Sequence, residues 1–314
     1  MLRFVAEDYP QTLLELERRF SDEAACRAYL FALRWPEGFV CEDCGGPTAR
    51  PMSSRGLWRC NNCRRQVSVM AGTVFQDTHL PLTIWFRAMW QVTSQKNGTS
   101  AWGLQRVLGL GSYKTAWAML QKLRRAMVRP PGRDRLRGVV EVDETYWGGE
   151  EEGVRGRGAV KKALIVVDAQ AASGRGKAIG RIRLRHIPDT RRTTLHRFIG
   201  QAIEPGSTVI TDGLQSYRNL KGYVHDRQIQ QRQPADAEHL LPRVHRVASL
   251  LKRWLLGTHQ GAIAHEHLDD YLDEFTFRFN RRTSASRGKL FYRLTQQAVQ
   301  VEPAPFQTLI AHNP

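Results

Sequence analysis

Apolar positions recur along this chain at helical spacing through its first 130 residues and at strand spacing from about residue 138, and this change of period predicts its main division. The run Asp22 to Leu30 reads as helical within an N-terminal helical segment, residues 1–36. After Pro81, the residues Ile84, Trp85, Ala88, Met89 and Val92 fall on one helix face. Gly98-Thr99-Ser100 offers an N-cap to the next helix, and Gly109 and Gly111 interrupt it. A further helix then places Ala116, Trp117, Leu120, Leu123 and Met127 inward. Pro130-Pro131-Gly132 ends this pattern, so residues 130–138 read as a linker.

Beyond the linker the chain reads as three strands, around Val139 to Tyr146, Ala163 to Asp168 and Ile179 to Ile187. A helix over Thr190 to Ile203, with Thr190 as N-cap, a short strand ending at Asp212-Gly213, a turn holding Tyr217 and a weak strand near Val224 to Ile229 follow. Two helices close the domain, one opened by Pro242 and one carrying Leu268, Tyr271, Leu272, Phe275 and Phe279. The domain is expected over residues 139–298, with residues 299–314 as a tail.

Four of five cysteines form two pairs, Cys41/Cys44 and Cys60/Cys63, the spacing of a zinc ribbon. A ribbon over residues 37–76 with one structural Zn²⁺ is expected; all four ligands are protein thiolates, so the ion would fold the module without doing chemistry. Two disulfides are the alternative, but the opening MLRFVAEDYP has no apolar run of a secretory leader, so a reducing, cytoplasmic setting is expected. No stretch is apolar for long enough to suggest a membrane span. Cys26 reads as a small buried hydrophobe.

The formal charge is +17, of which +9 falls within residues 71–140. Such local excess points to a polyanion, and the two helices around the glycine turn, within residues 77–129, read as a helix-turn-helix for double-stranded DNA. Lys114, Lys122, Arg124 and Arg125 are the expected phosphate contacts, and Ser112, Tyr113 and Thr115 are candidate base readers. A plain helical hairpin with a solvated basic face is the competing reading. The glycine-rich basic stretch Gly148 to Lys162 reads as a loop that clamps DNA or as a solvated hairpin tip.

The element order after residue 138 is that of the ribonuclease H-like fold. Asp143 interrupts a β-branched strand against strand propensity, and Asp212 ends the fourth strand. Paired carboxylates of this kind suit divalent-metal phosphodiester chemistry, since hard oxygens hold Mg²⁺. Glu144 should face away from Asp143 and serve the structure.

The segments EVDETYWGG, VITDGLQSY and SLLKRWLLGTHQG through HLDDYLDEFTFRFNRR resemble the bacterial insertion-sequence transposases of the ISXO-like group. That resemblance covers about residues 15 to 295 and implies a zinc ribbon, a helix-turn-helix and a DDE-type α/β catalytic domain. It implies an enzyme that binds the terminal inverted repeats of its element, cleaves the DNA ends and joins them to target DNA with Mg²⁺ or Mn²⁺. It further implies a homo-oligomer on DNA in a bacterial, nucleoid-associated setting. Asp143 and Asp212 match the first two catalytic carboxylates. Many relatives carry Asn or Glu seven residues before a lysine; here His245 stands seven before Lys252. His245 is thus the expected third metal ligand and Lys252 a DNA contact, with Glu238 as the competing ligand. A DNA-binding regulator without catalysis, or an inactivated copy, is the alternative reading.

Overall fold

The computed structural model describes residues 7–52, 56–128, 135–148, 162–172, 176, 178–229 and 240–310. The chain forms two compact units: residues up to Val128 together with those from Thr283 onward make one, and residues up to Arg282 between them make the other. Among the described residues no helix is long and apolar enough to cross a membrane.

In the first unit, α1 (Leu13–Arg19) and α2 (Glu23–Arg34) start at Thr12 and Asp22, whose side chains accept the N–H groups of Glu15 and Ala25. These caps satisfy donors that a helix start leaves unpaired. Cys26 is fully buried, and burial pushes its thiol up to about 12. Strands β1 (Ala49–Met52), β2 (Leu57–Cys60) and β3 (Gln66–Val67) form an antiparallel sheet, with β1 and β2 following the first cysteine pair and β3 the second. Helices α3 (Leu82–Ser94), α4 (Ala101–Leu108) and α5 (Tyr113–Arg125) follow. Ser100 caps α4 through the N–H of Gly103, Gly109 ends it in the left-handed region at φ 63°, and Ser112 caps α5. Helix, glycine turn and helix thus follow one another as the punctuation of the sequence implies.

The second unit is an α/β domain with a five-stranded sheet. Strands β4 (Val139–Trp147), β5 (Ala163–Ala171) and β6 (Ile179–Ile187) form an antiparallel meander. After α6 (Arg192–Ala202), β7 (Thr208–Thr211) and β8 (Val224–Arg227) join parallel to β4, giving the order β6-β5-β4-β7-β8. This is the ribonuclease H-like arrangement, with the first strand at the centre. Asp189 rather than Thr190 serves the start of α6, accepting from the N–H of Arg191 and the hydroxyl of Thr194. One sheet face packs on α6, through Val140, Val142, Val166, Leu195 and Ile199. The other packs on α7 (Pro242–His259) and α8 (Leu268–Phe279), through Ile165, Val167, Ile182, Val247, Leu251 and Leu272.

Asn280 and Arg282, just past α8, serve the edge of this sheet. The Asn280 amide accepts from the Ile182 N–H at 2.7 Å and donates to its carbonyl at 3.0 Å, as a neighbouring strand would. Arg282 donates to the carbonyls of Ile179 and Gly180. Edge groups of β6 are thereby paired.

The chain then returns to the first unit. Helix α9 (Arg287–Ala298) packs on α3 and α2, and α10 (Phe306–Ile310) lies near α5. Phe291 is fully buried and meets the rings of Phe20, Tyr29, Phe86 and Trp90. A catalytic domain running to residue 298 was the expectation; the structure ends that unit at Arg282, because the apolar face of α9 completes the aromatic core of the helical unit.

Candidate active site and metal centre

The two cysteine knuckles are built alike. Cys41 N–H donates to the Gly46 carbonyl and Gly45 N–H to the Cys41 carbonyl; Cys60 N–H donates to the Arg65 carbonyl and Arg64 N–H to the Cys60 carbonyl. Gly45 and Arg64 occupy the same turn position at φ 66° and 67°. Gly46 is tightly enclosed: a Cβ there would stand 3.0 Å from the Asn62 Cβ and 3.3 Å from the sulfurs of both Cys44 and Cys60.

These knuckles bring the four ligand sulfurs within 4.8 Å of one another. Cys41 and Cys63 are 3.6 Å apart at sulfur, and Cys44 and Cys60 3.7 Å. Four thiolates about 2.3 Å from a tetrahedral Zn²⁺ stand about 3.8 Å from each other, so the cluster fits a structural zinc ion. The backbone N–H of Gly46, then the Cys63 thiol and the Asn62 side chain, lower the Cys44 thiol, while the thiols of Cys44, Cys41 and Cys60 raise that of Cys63 against its own bond to the Arg65 N–H.

In the sheet unit, Val142 pairs with Thr211 across the parallel strands β4 and β7, so Asp143 and Asp212 are the next residues in register. Both are half-buried. Alternation sends Glu141 and Asp143 to the α7 face, as the contact of Glu141 with Arg243 shows. Ile210 packs into the α7-side core, and alternation puts Asp212 on that face too. Asp143 accepts the N–H of Glu144 at 2.8 Å, and Asp212 that of Leu214 at 2.9 Å. Glu144 points to the opposite face, where it accepts the Tyr217 hydroxyl at 2.6 Å.

His245 is exposed in the first turn of α7, and Lys252 is half-buried two turns on. Burial, then the charge of Lys162, lowers the ammonium of Lys252. Arg243 reaches the carbonyls of Gly176 and Ala178, just ahead of β6. At about 100° per residue His245 lies about 200° round the helix from Arg243, so the two side chains leave opposite flanks of α7. Lys252 shares the flank of His245. Glu238 lies outside the described residues, as does most of the basic stretch 148–162.

Residues 135–280 match the ISXO2-like transposase domain, and residues 21–66 match the transposase zinc-ribbon domain. By its two domains the chain belongs to the ISXO-like transposases. An uncharacterized protein in transposable element ISH50 of Halobacterium salinarum is 27% identical to it over 288 residues, covering 83% of this chain and 92% of that protein.

In this transposase the four cations expected on α5 have different surroundings. Lys114 is exposed and Arg125 half-buried. Lys122 is half-buried in a cleft of about 410 Å³ that Lys114, His79, Trp85 and Phe306 also line. Burial lowers the Lys122 ammonium, and Asp77 opposes that effect. Arg124 departs from the expectation: it is 1% exposed and donates to the Gln121 side chain at 3.2 Å. It falls on the core stripe of α5, one turn after Leu120, and so is held inside the helical unit rather than offered to phosphate. At the glycine turn Trp102 and Tyr113 are exposed and pack together, with Arg106 over the Trp102 ring.

Sequence reasoning did not single out Glu141 or Asp168. Both break apolar strands, which was the available signal; their surroundings depend on residues far away in the chain. Asp168 is wholly buried on β5, and desolvation raises its carboxyl well above the usual range.

Proposed function

We propose that this transposase binds the terminal inverted repeats of an insertion sequence and catalyses metal-dependent cleavage of the DNA ends and their transfer to target DNA. The observation that supports the reading is that Asp143, in the middle of β4, and Asp212, just past the end of β7, each follow the last paired positions of these neighbouring parallel strands, Val142 and Thr211, on the face covered by α7. Two carboxylates and an imidazole are a donor set suited to Mg²⁺ or Mn²⁺, the latter more tolerant of nitrogen. Asp143, Asp212 and His245 would hold the ions, which supply activation of the attacking oxygen and stabilisation of the leaving one. Lys252, on the flank of His245, holds a DNA phosphate beside the reacting bond. Burial that lowers its ammonium also removes competing water, so the charge acts over a short, weakly screened distance.

The helix-turn-helix supplies recognition. Lys114, Lys122 and Arg125 contact phosphates, and the N-terminus of α5, with Ser112, Tyr113 and Thr115, faces base edges. Two element ends must be handled together, so the active form is an oligomer on DNA. The deciding experiment incubates the purified chain with a labelled element end, target DNA and Mg²⁺ or Mn²⁺. Nicks at the element boundary together with joined products are expected; nicks without joining would indicate a nuclease instead, and binding without either a regulator.

A further inference from the structure

Glu141 stands two residues before Asp143 on the same face of β4 and is 2% exposed. A carboxylate stripped of water in a sheet interior requires a full set of donors. Here they come from one helix turn: Arg243 Nη1 at 2.6 Å, the Arg243 backbone N–H at 2.7 Å and the Val244 backbone N–H at 3.1 Å.

The local sequence of α7 explains why the strand must provide this cap. Leu241 at the N-cap has no polar side chain to offer, and Pro242 has no N–H, so the next two backbone donors need an acceptor from elsewhere. Glu141 takes both, and its charge complements the positive end of the helix dipole. The Arg243 guanidinium, bound to Glu141, extends to the carbonyls of Gly176 at 2.6 Å and Ala178 at 3.3 Å. Backbone bonds fix α7 along its axis, and the guanidinium fixes its rotation. Any slip would leave a buried charge unpaired, a strong penalty against other registers.

We propose that Glu141 is a positioning residue for the metal site: it sets the height and rotation of α7 so that the flank bearing His245 faces Asp143 and Asp212. The proposal rests on the reading of those three residues as metal ligands.

The test measures Mn²⁺ binding to the zinc-loaded full-length chain through the electron paramagnetic resonance signal of free Mn²⁺, beside thermal unfolding and end cleavage. Glu141→Gln keeps the size of the side chain but loses its charge. It is expected to weaken Mn²⁺ binding by about tenfold at a temperature where the protein remains folded. Cleavage by this variant is expected to recover as Mn²⁺ is raised. Wild-type Mn²⁺ affinity in a folded Glu141→Gln protein, with only a lower unfolding temperature, would overturn the proposal and leave the metal site standing. Should Glu141→Gln not fold, Arg243→Lys keeps both backbone bonds but loses the fork that fixes rotation, and its Mn²⁺ affinity is expected to fall; wild-type affinity there overturns the proposal equally. Asp143→Asn is the separate control. If it too binds Mn²⁺ like the wild type, the ligand assignment is wrong and the positioning role falls with it.

Discussion

Asp143 and Asp212 are 69 positions apart in the sequence, yet each directly follows one of the last paired residues, Val142 and Thr211, of the parallel strands β4 and β7. Side-by-side carboxylates repel each other unless a cation lies between them. Asp143→Asn or Asp212→Asn is therefore expected to abolish end cleavage while leaving DNA binding intact, as read by nick mapping and a gel-shift titration. His245→Ala should be as damaging, and His245→Glu, which offers a hard oxygen, should retain activity with Mg²⁺. Normal joining by His245→Ala would exclude the imidazole from the site.

The cysteine cluster leads to a second expectation. Freshly prepared, reduced protein should carry one Zn²⁺ per chain. Cys60→Ser should unfold the ribbon and leave the five-stranded sheet folded, since the two belong to different compact units. Metal analysis and circular dichroism of the variant check this.

For DNA binding, replacing Lys114, Lys122 and Arg125 by Ala should flatten the dependence of log affinity on log salt, by about 0.9 for each phosphate left without its cation. Arg124→Ala should behave differently. Its guanidinium is buried, so this variant should lower the unfolding temperature and leave the salt slope unchanged.

The pH dependence of stability should show a signature of Asp273 on α8. Desolvation, then the nearby charges of Asp269 and Asp270, raise its carboxyl from 3.8 to about 8, against the opposing influence of Arg185 and Arg183. Between those values the folded chain keeps a proton that the unfolded chain has lost. This group therefore costs stability progressively as pH rises from about 4 to 8, and the cost is constant above. Asp273→Asn should raise the unfolding temperature at pH 8 and leave it little changed at pH 4, as scanning calorimetry over a pH series would show.

Among the described glycines, Gly288 on α9 is the one where a single methyl group should do most harm. A Cβ there would overlap the Pro10 carbonyl oxygen. Gly288→Ala is expected to destabilise the helical unit by about 1–3 kcal/mol or more, as overpacking does, measured by chemical denaturation.

The zinc ribbon was legible because a metal knuckle is a local device, written in the spacing of Cys41, Cys44, Cys60 and Cys63. Asp143 was legible because a charge in a β-branched strand opposes the local preference. Arg124 shows where the reading of charge misled: its place one turn after Leu120 and three residues before Met127 already lay on the inward stripe, and the stripe decided its burial. Arg64, beside the second cysteine pair, reads from the sequence as a cation near the thiolates; nothing in its side chain marks the left-handed turn that its counterpart Gly45 announces. The partner of Glu141 is about a hundred residues away, and the partners of α9 about two hundred. Periodicity reveals that a face is apolar; it does not say which face it will meet.

The return of α9 to the helical core governs the order in which this protein can be built on the ribosome. The ribbon can close on zinc early, since its ligands end at Cys63. The aromatic core around Phe86 must wait, because Phe291 emerges only after the whole five-stranded sheet has been synthesised. Until then α3 exposes Phe86 and Trp90 without their ring partner. Nascent chains stalled between residues 129 and 282 should accordingly be the species most prone to proteolysis and to capture by chaperones.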